Sequence, residues 1–217
     1  MQLKIHYVFK SKNIQDVWFE SSWMNNHSIV TMIDEIERTG RVQELKVIDE
    51  LGHEWSKKEF FKLNRKLNEE PDDITIFFDG GWMKEEKRAG IGFVIYYQKS
   101  GEHFRIRQNG QLDFLEDNNE AEYAALFEAL KIIEEIGVHS KKISIRGDSQ
   151  VVLNQLVGEW PCFEDHYNRW LDRIEEKIKK MQLILDVEVI SRKDNVEAHK
   201  LASQALEQIP ISSHKVI

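Results

Sequence analysis

Three carboxylates stand where one pocket could gather them. Asp79 follows the apolar run ITIFF at 74–78, and Asp148 follows a strand-like segment marked by Ile143 and Ile145. Glu122 falls in step with Leu126, Ala129, Ile133 and Ile136 on one stripe of a helix expected from about 118 to 137. Each has an ordinary structural alternative: a turn at 79, a helix cap at 148, the rim of a packing stripe at 122. Together they form a different pattern, because successive strand and helix units bring strand ends to one edge of a sheet. A glutamate in line with a packing stripe also wants a cation or a hydrogen-bond network. Oxygen-only ligands of this kind suit hard divalent ions, magnesium above all.

The segments around these residues read as a sheet with helices. ITIFFDGG at 74–81 is a covered central strand that ends in Asp79, with Gly80–Gly81 permitting a tight bend and close approach of another group. GIGFVIYY at 90–97 and HFRIRQNG at 103–110 are two further strands of an antiparallel meander, joined by a short turn at 99–101. After the Glu122 helix and the 143–147 strand, Asp148 or Ser149 can cap the next helix. The helix through Tyr167, Trp170, Leu171, Ile174, Ile178 and Met181 has the spacing of a packing face. LILDVEVI at 183–190 is a last strand, and a terminal helix carries Ala198, Ala202, Ala205 and Ile209 on one side.

The first 70 residues form their own pattern, strands and helices in the order ββα, β(β)α. An Asn25 or Asn26 cap precedes the first helix, and a Ser56–Glu59 capping box opens the second. This small α+β module carries no chemical signature. Lys58, Lys62 and Arg65 can share one helix face, either as a solvated surface or as a phosphate-contacting one. Glu69, Glu70, Pro71, Asp72 and Asp73 suit a domain boundary.

With 217 residues and 41% hydrophobic content the chain can bury a core and has room for two unequal domains. Its single cysteine, Cys162, excludes an internal disulfide, and no signal-like start or long apolar run is present. A soluble, cytoplasmic, monomeric protein without a membrane partner is expected. The net charge of −8 requires any nucleic-acid partner to meet local positive patches on an acidic body.

FFDGG at 77–81, NNEAEYAAL at 118–126, GDSQ at 147–150 and NVEAHKLA at 195–202 occur in an order that resembles ribonuclease HI. The resemblance covers 73–209 and leaves the N-terminal module outside. It implies an α/β domain with a ribonuclease H-like five-stranded mixed sheet, strand order 3-2-1-4-5, flanked by helices, with residues 210–217 a flexible tail. It further implies hydrolysis of the RNA strand of RNA–DNA hybrids with two ions, Mg2+ or Mn2+. Asp79, Glu122 and Asp148 would hold the ions, one of which lowers the pKa of the attacking water while the other stabilises the leaving 3′ oxygen. Substrate contacts fall on Gly80, Asn118, Asn119 and Gln150, whose amides can reach 2′-hydroxyls or base edges in a shallow groove. Arg192 and Lys193 are candidates for phosphate contact or for ordinary surface charge.

Three departures from the family pattern matter. Where a fourth acid is usual the chain has His199, which can ligate a divalent ion through nitrogen and so joins the catalytic and metal set. The basic handle helix of some members and the mobile histidine of many are also absent. An RNA- or hybrid-binding protein with weakened or lost catalysis is therefore the competing reading.

Overall fold

In the computed structural model, which describes residues 2–217 without the Asn68 side chain, the chain divides into two compact units, Met1–Leu67 and Asn68–Ile217. The first is built on β1 (Leu3–Phe9), β2 (Val17–Glu20), β3 (Val42–Asp49) and β4 (Glu54–Ser56), ordered β2-β1-β3-β4, with α1 (Asn26–Arg38) and the start of α2 (Lys57–Glu69). Leu3 and Ile5 of β1 and Val47 of β3 pack with Ile29 and Ile33 of α1 and Phe60 of α2. Both helices begin where their sequences supply acceptors. Asn25 Oδ1 accepts from Ser28 N at 2.8 Å. At Ser56 the Glu59 carboxylate accepts from both the backbone N–H (2.9 Å) and the hydroxyl (2.7 Å).

The second unit is a six-stranded sheet of β5 (Asp72–Met83), β6 (Arg88–Lys99), β7 (Glu102–Asp113), β8 (Lys142–Gly147), β9 (Ile184–Val189) and β10 (Ser212–Val216). Its order is β10-β7-β6-β5-β8-β9. The β5–β6–β7 meander is antiparallel, and β8 and β9 run parallel to β5. This is the expected 3-2-1-4-5 mixed sheet with one strand added. The helices are α3 (Asn118–Glu135), α4 (Gln150–Leu156), α5 (Asp165–Met181) and α6 (Val196–Leu206).

Small residues let two helices lie directly on the sheet. A Cβ on Gly80 would come within 2.4 Å of the Ala121–Glu122 peptide of α3. Gly81 faces Leu206 of α6, and a Cβ on Gly90 or Gly92 would come within 2.4 Å of Ala202 backbone atoms of α6. Because successive strand residues point to opposite faces, α3 and α6 cover the two sides of β5. The α6 stripe of Ala198, Ala202 and Ala205 is buried in that contact, whereas Ile209 lies past the helix and is exposed. On α5, Tyr167, Ile174 and Met181 are buried, as a packing face requires.

Two expectations are corrected. β5 does not end at Asp79: Gly80–Gly81 stay extended, and pairing with β6 continues to Met83↔Arg88. The glycines serve helix approach, not a bend. The parallel partner β8 pairs only with residues from Ile74 to Phe77, so Asp79 lies beyond the end of the β5–β8 ladder. The residues after Pro210 are not a flexible tail, because β10 pairs antiparallel with β7 from Ser212↔Gln108 to Val216↔Phe104. Asn109 secures the approach, accepting from Ile211 N at 2.7 Å and donating to Leu201 O and Ile209 O at 3.0 Å each. The Tyr97 hydroxyl meets His214 Nε2 at 2.7 Å. Among the described residues no helix is long and apolar enough to cross a membrane.

Candidate active site

Asp79 from β5, Glu122 from α3 and Asp148 from the end of β8 each offer an oxygen to a cluster whose ligand atoms all lie within 4.8 Å of one another. Local sequence explains each placement. The α3 N-terminus is fixed by Asp117, whose Oδ1 accepts from Glu120 N at 2.9 Å. The absence of a side chain at Gly80 then lets Glu122 reach the strand, where its Oε2 accepts the Gly80 N–H at 3.0 Å. Ser149, not Asp148, caps α4 through a hydroxyl bond from Val152 N, which leaves the Asp148 carboxylate to the cluster.

Burial dominates the electrostatics of the cluster. Asp79 is 4% exposed and Glu122 5%. Burial raises the Asp79 carboxyl from 3.8 to about 6. A hydrogen bond from His199 opposes the rise, and the Asp148 charge adds to it. Burial likewise pushes Glu122 well above its ordinary value, reinforced by Asp79 and Asp148 and opposed by the Gly80 amide. Three converging carboxylates, two of them deprived of water, fit a divalent cation. Oxygen donors match a hard ion, and its charge offsets the burial and the mutual repulsion that hold these groups up.

His199 is placed beside this cluster. Its Nδ1 is 3.0 Å from Asp79 Oδ2 and its Nε2 is 2.9 Å from Arg192 Nη2. The same Nη2 lies 3.4 Å from Nδ1, so the imidazole is held between a guanidinium, which has only donors, and the Asp79 carboxylate, which accepts from Nδ1. The set of ligand atoms within 4.8 Å of one another comprises the three carboxylates. Gly80, Asn118, Asn119, Gln150, Arg192 and His199 line one cavity of about 650 Å3 together with the carboxylates. Lys193 is exposed and does not line it.

Sequence reasoning missed Asn195 and Trp160. Asn195 is 1% exposed, and its Nδ2 donates to Phe78 O at 2.8 Å and to Asp148 Oδ1 at 2.7 Å, which ties β5 to the residue that follows β8. It occupies the N-cap position of α6 without capping it, since its side chain is turned inward. An asparagine before a helix reads as a cap, and the inward role has no local signature. Trp160 lines the cavity from the segment after α4 while remaining 43% exposed. A half-exposed tryptophan on a cavity wall is the one signal that could have marked it.

Comparison with known proteins places this geometry. The chain is 43% identical over 215 residues to the uncharacterized protein YpeP of Bacillus subtilis, covering 99% of this chain and 95% of that one. It is 30% identical over 134 residues to ribonuclease HI of Halobacterium salinarum, covering 62% of this chain and 64% of that protein. The crystal structure of LC11-RNase H1, a protein isolated from compost, in complex with an RNA/DNA hybrid superposes with a TM-score of 0.55. The identity is 25%, covering 63% of this chain and 98% of that one. The second unit therefore has a ribonuclease H-like fold. A family model described as reverse transcriptase-like matches residues 77–205, from the strand that carries Asp79 to the helix that carries His199. On that match the chain belongs to the reverse transcriptase-like family.

Proposed function

We propose that this protein is a metal-dependent endoribonuclease that hydrolyses the RNA strand of RNA–DNA hybrids. The observation that carries the proposal is the convergence of Asp79, Glu122 and Asp148 on one open cavity, with two of the three carboxylates buried and held above their ordinary pKa. Two ions, Mg2+ or Mn2+, would supply the Lewis acidity that activates water and stabilises charge on the leaving oxygen. The chain's own residues hold and orient. Asp79, Glu122 and Asp148 bind the ions, the Gly80 amide fixes Glu122, and Asn195 fixes Asp148.

Around the carboxylates, Asn118, Asn119 and Gln150 supply amides for a groove that displays 2′-hydroxyls, and Trp160 a flat apolar surface for a sugar or base. Arg192 supplies positive charge for a phosphate, and the His199 ring stands between Arg192 and Asp79. The likeness to a ribonuclease H1 solved with an RNA/DNA hybrid supports the substrate class. The test is a cleavage assay with purified protein on RNA–DNA hybrid, duplex RNA and duplex DNA, with Mg2+, with Mn2+ and with chelator. Chelator-sensitive cleavage of the RNA strand in the hybrid alone is expected. Hybrid binding with no cleavage under either ion would instead favour a binding protein, the reading to which the histidine at 199 lends weight.

A further inference from the structure

Asn119 does not hang freely at the cavity wall. Its Nδ2 donates to the Tyr167 hydroxyl at 3.3 Å, and that hydroxyl donates in turn to Asp117 Oδ2. The direction of this chain follows from what each group can do. A carboxylate only accepts, so the phenol proton points at Asp117, and the phenol oxygen is left to receive an N–H of Asn119. Burial, with Asp117 beside it, pushes the Tyr167 hydroxyl up to about 12, so it keeps its proton throughout the neutral range. Both anchors are held independently of Asn119. Asp117 is the N-cap of α3, its Oδ1 engaged by Glu120 N at 2.9 Å. The buried Tyr167 ring packs on Tyr123, with centroids 5.5 Å apart, and on His166 at 4.2 Å. At the other end, Asn119 Oδ1 meets no protein donor among the described residues, and Asn119 lines the cavity.

We propose that Tyr167 is a positioning residue for substrate selection: through Asp117, Tyr167 and Asn119 it fixes the Asn119 amide with its carbonyl oxygen turned to the substrate, as an acceptor for a ribose 2′-hydroxyl. The 2′-hydroxyl is a donor repeated at every ribonucleotide whatever the base, which is what a site that selects RNA without reading sequence requires. An amide free to flip would present N–H half the time and lose that selectivity. The inference rests on the hybrid reading above and adds to it a residue on a different helix that never touches substrate.

Two variants test it. Tyr167→Phe keeps the ring and removes the hydroxyl. Asp117→Asn keeps a capping oxygen for Glu120 N but puts an amide where Oδ2 stood. That amide donates to the phenol, turns the phenol proton toward Asn119 and so flips the Asn119 amide. In the free full-length protein both variants should shift the side-chain NH2 resonances of Asn119. Both should raise KM for hybrid about three- to tenfold, the worth of one neutral hydrogen bond, with kcat within about twofold and duplex DNA binding unchanged. In an Asn119→Ala background neither variant should have any further effect on KM. Unmoved Asn119 resonances overturn the proposal, and so does an equal rise in KM with and without Asn119, which is the result of a merely structural role. Shifted resonances in a protein that neither binds nor cleaves hybrid leave the relay standing and bring down the ribonuclease reading instead.

Discussion

The Gly80 amide donates to Glu122 Oε2 at 3.0 Å, across a contact so close that a methyl group on Gly80 would come within 2.4 Å of Glu122 N. One residue without a side chain thus sets both the seat of α3 on β5 and the position of a carboxylate. Gly80→Ala must push backbone against backbone, so we expect a loss of about 1–3 kcal/mol in stability together with weakened divalent-ion binding as Glu122 moves away. Urea denaturation and calorimetric ion titration check both. A variant with the parent's midpoint and ion affinity would show that the contact relaxes without consequence.

Asp79 is buried with its carboxyl held at about 6, above the ordinary 3.8. In a metal-free protein such a group contributes stability that is fully present below pH 3.8 and lost as pH rises through about 6. Asp79→Asn removes the charge and little volume. At pH 8 in chelator the variant should therefore be more stable than the parent, by roughly 1–3 kcal/mol at about 1.4 kcal/mol per pKa unit, and its advantage should vanish toward pH 4. Metal-dependent cleavage should be abolished. Melting curves in chelator from pH 4 to 8 read the first effect. A folded variant with near-parental turnover would sink the assignment of Asp79 to the metal.

His199 donates to Asp79 while Arg192 occupies its other nitrogen, so ligation of an ion requires one of these bonds to be exchanged. We expect His199→Asp, which adds a fourth carboxylate, to tighten Mg2+ binding by about tenfold, a size set by one charge partly screened near the surface. His199→Ala should lose any preference for Mn2+ over Mg2+, since nitrogen is the softer donor. Cleavage measured against both ions between about pH 6 and 9 decides the matter. An alanine variant with the parent's ion affinity, ion preference and pH profile would remove His199 from the metal set.

The N-terminal unit carries a small net positive charge and the second unit a net negative one. Residues 1–67 carry 11 Lys and Arg against 10 Asp and Glu, whereas residues 68–217 carry 19 against 28. Lys58, Lys62 and Arg65 are exposed on α2. If this helix binds phosphates, changing all three to Gln should weaken hybrid binding and reduce the slope of log K against log salt by about 0.9 for each phosphate no longer neutralised, with turnover at saturating substrate unchanged. Identical affinity and slope across several salt concentrations would leave the unit with another role.

The sequence alone determined the parts that repeat along the chain. Alternation and helical stripes located the central meander, the parallel strands and the helices because side-chain direction in a strand or helix follows directly from residue spacing. The types and order of Asp79, Glu122 and Asp148 carried the candidate metal site, since few residue types bind a hard cation and all three fall at positions a sheet must bring together. Tertiary structure decided what depends on a partner far along the chain. Gly80–Gly81 look the same locally whether they bend a strand or admit a helix, and only α3 on one face and α6 on the other fix them as extended. Residues 212–216 show no apolar run that would mark a strand, and they become one because β7 offers an unpaired edge about 100 residues earlier. Asn195 and Tyr167 read locally as a helix cap and a core aromatic. The Asn195 amide reaches a carboxylate 47 residues away and the Tyr167 hydroxyl one 50 residues away, and the worth of a polar group at the end of a buried side chain depends on which partner the fold sets opposite it.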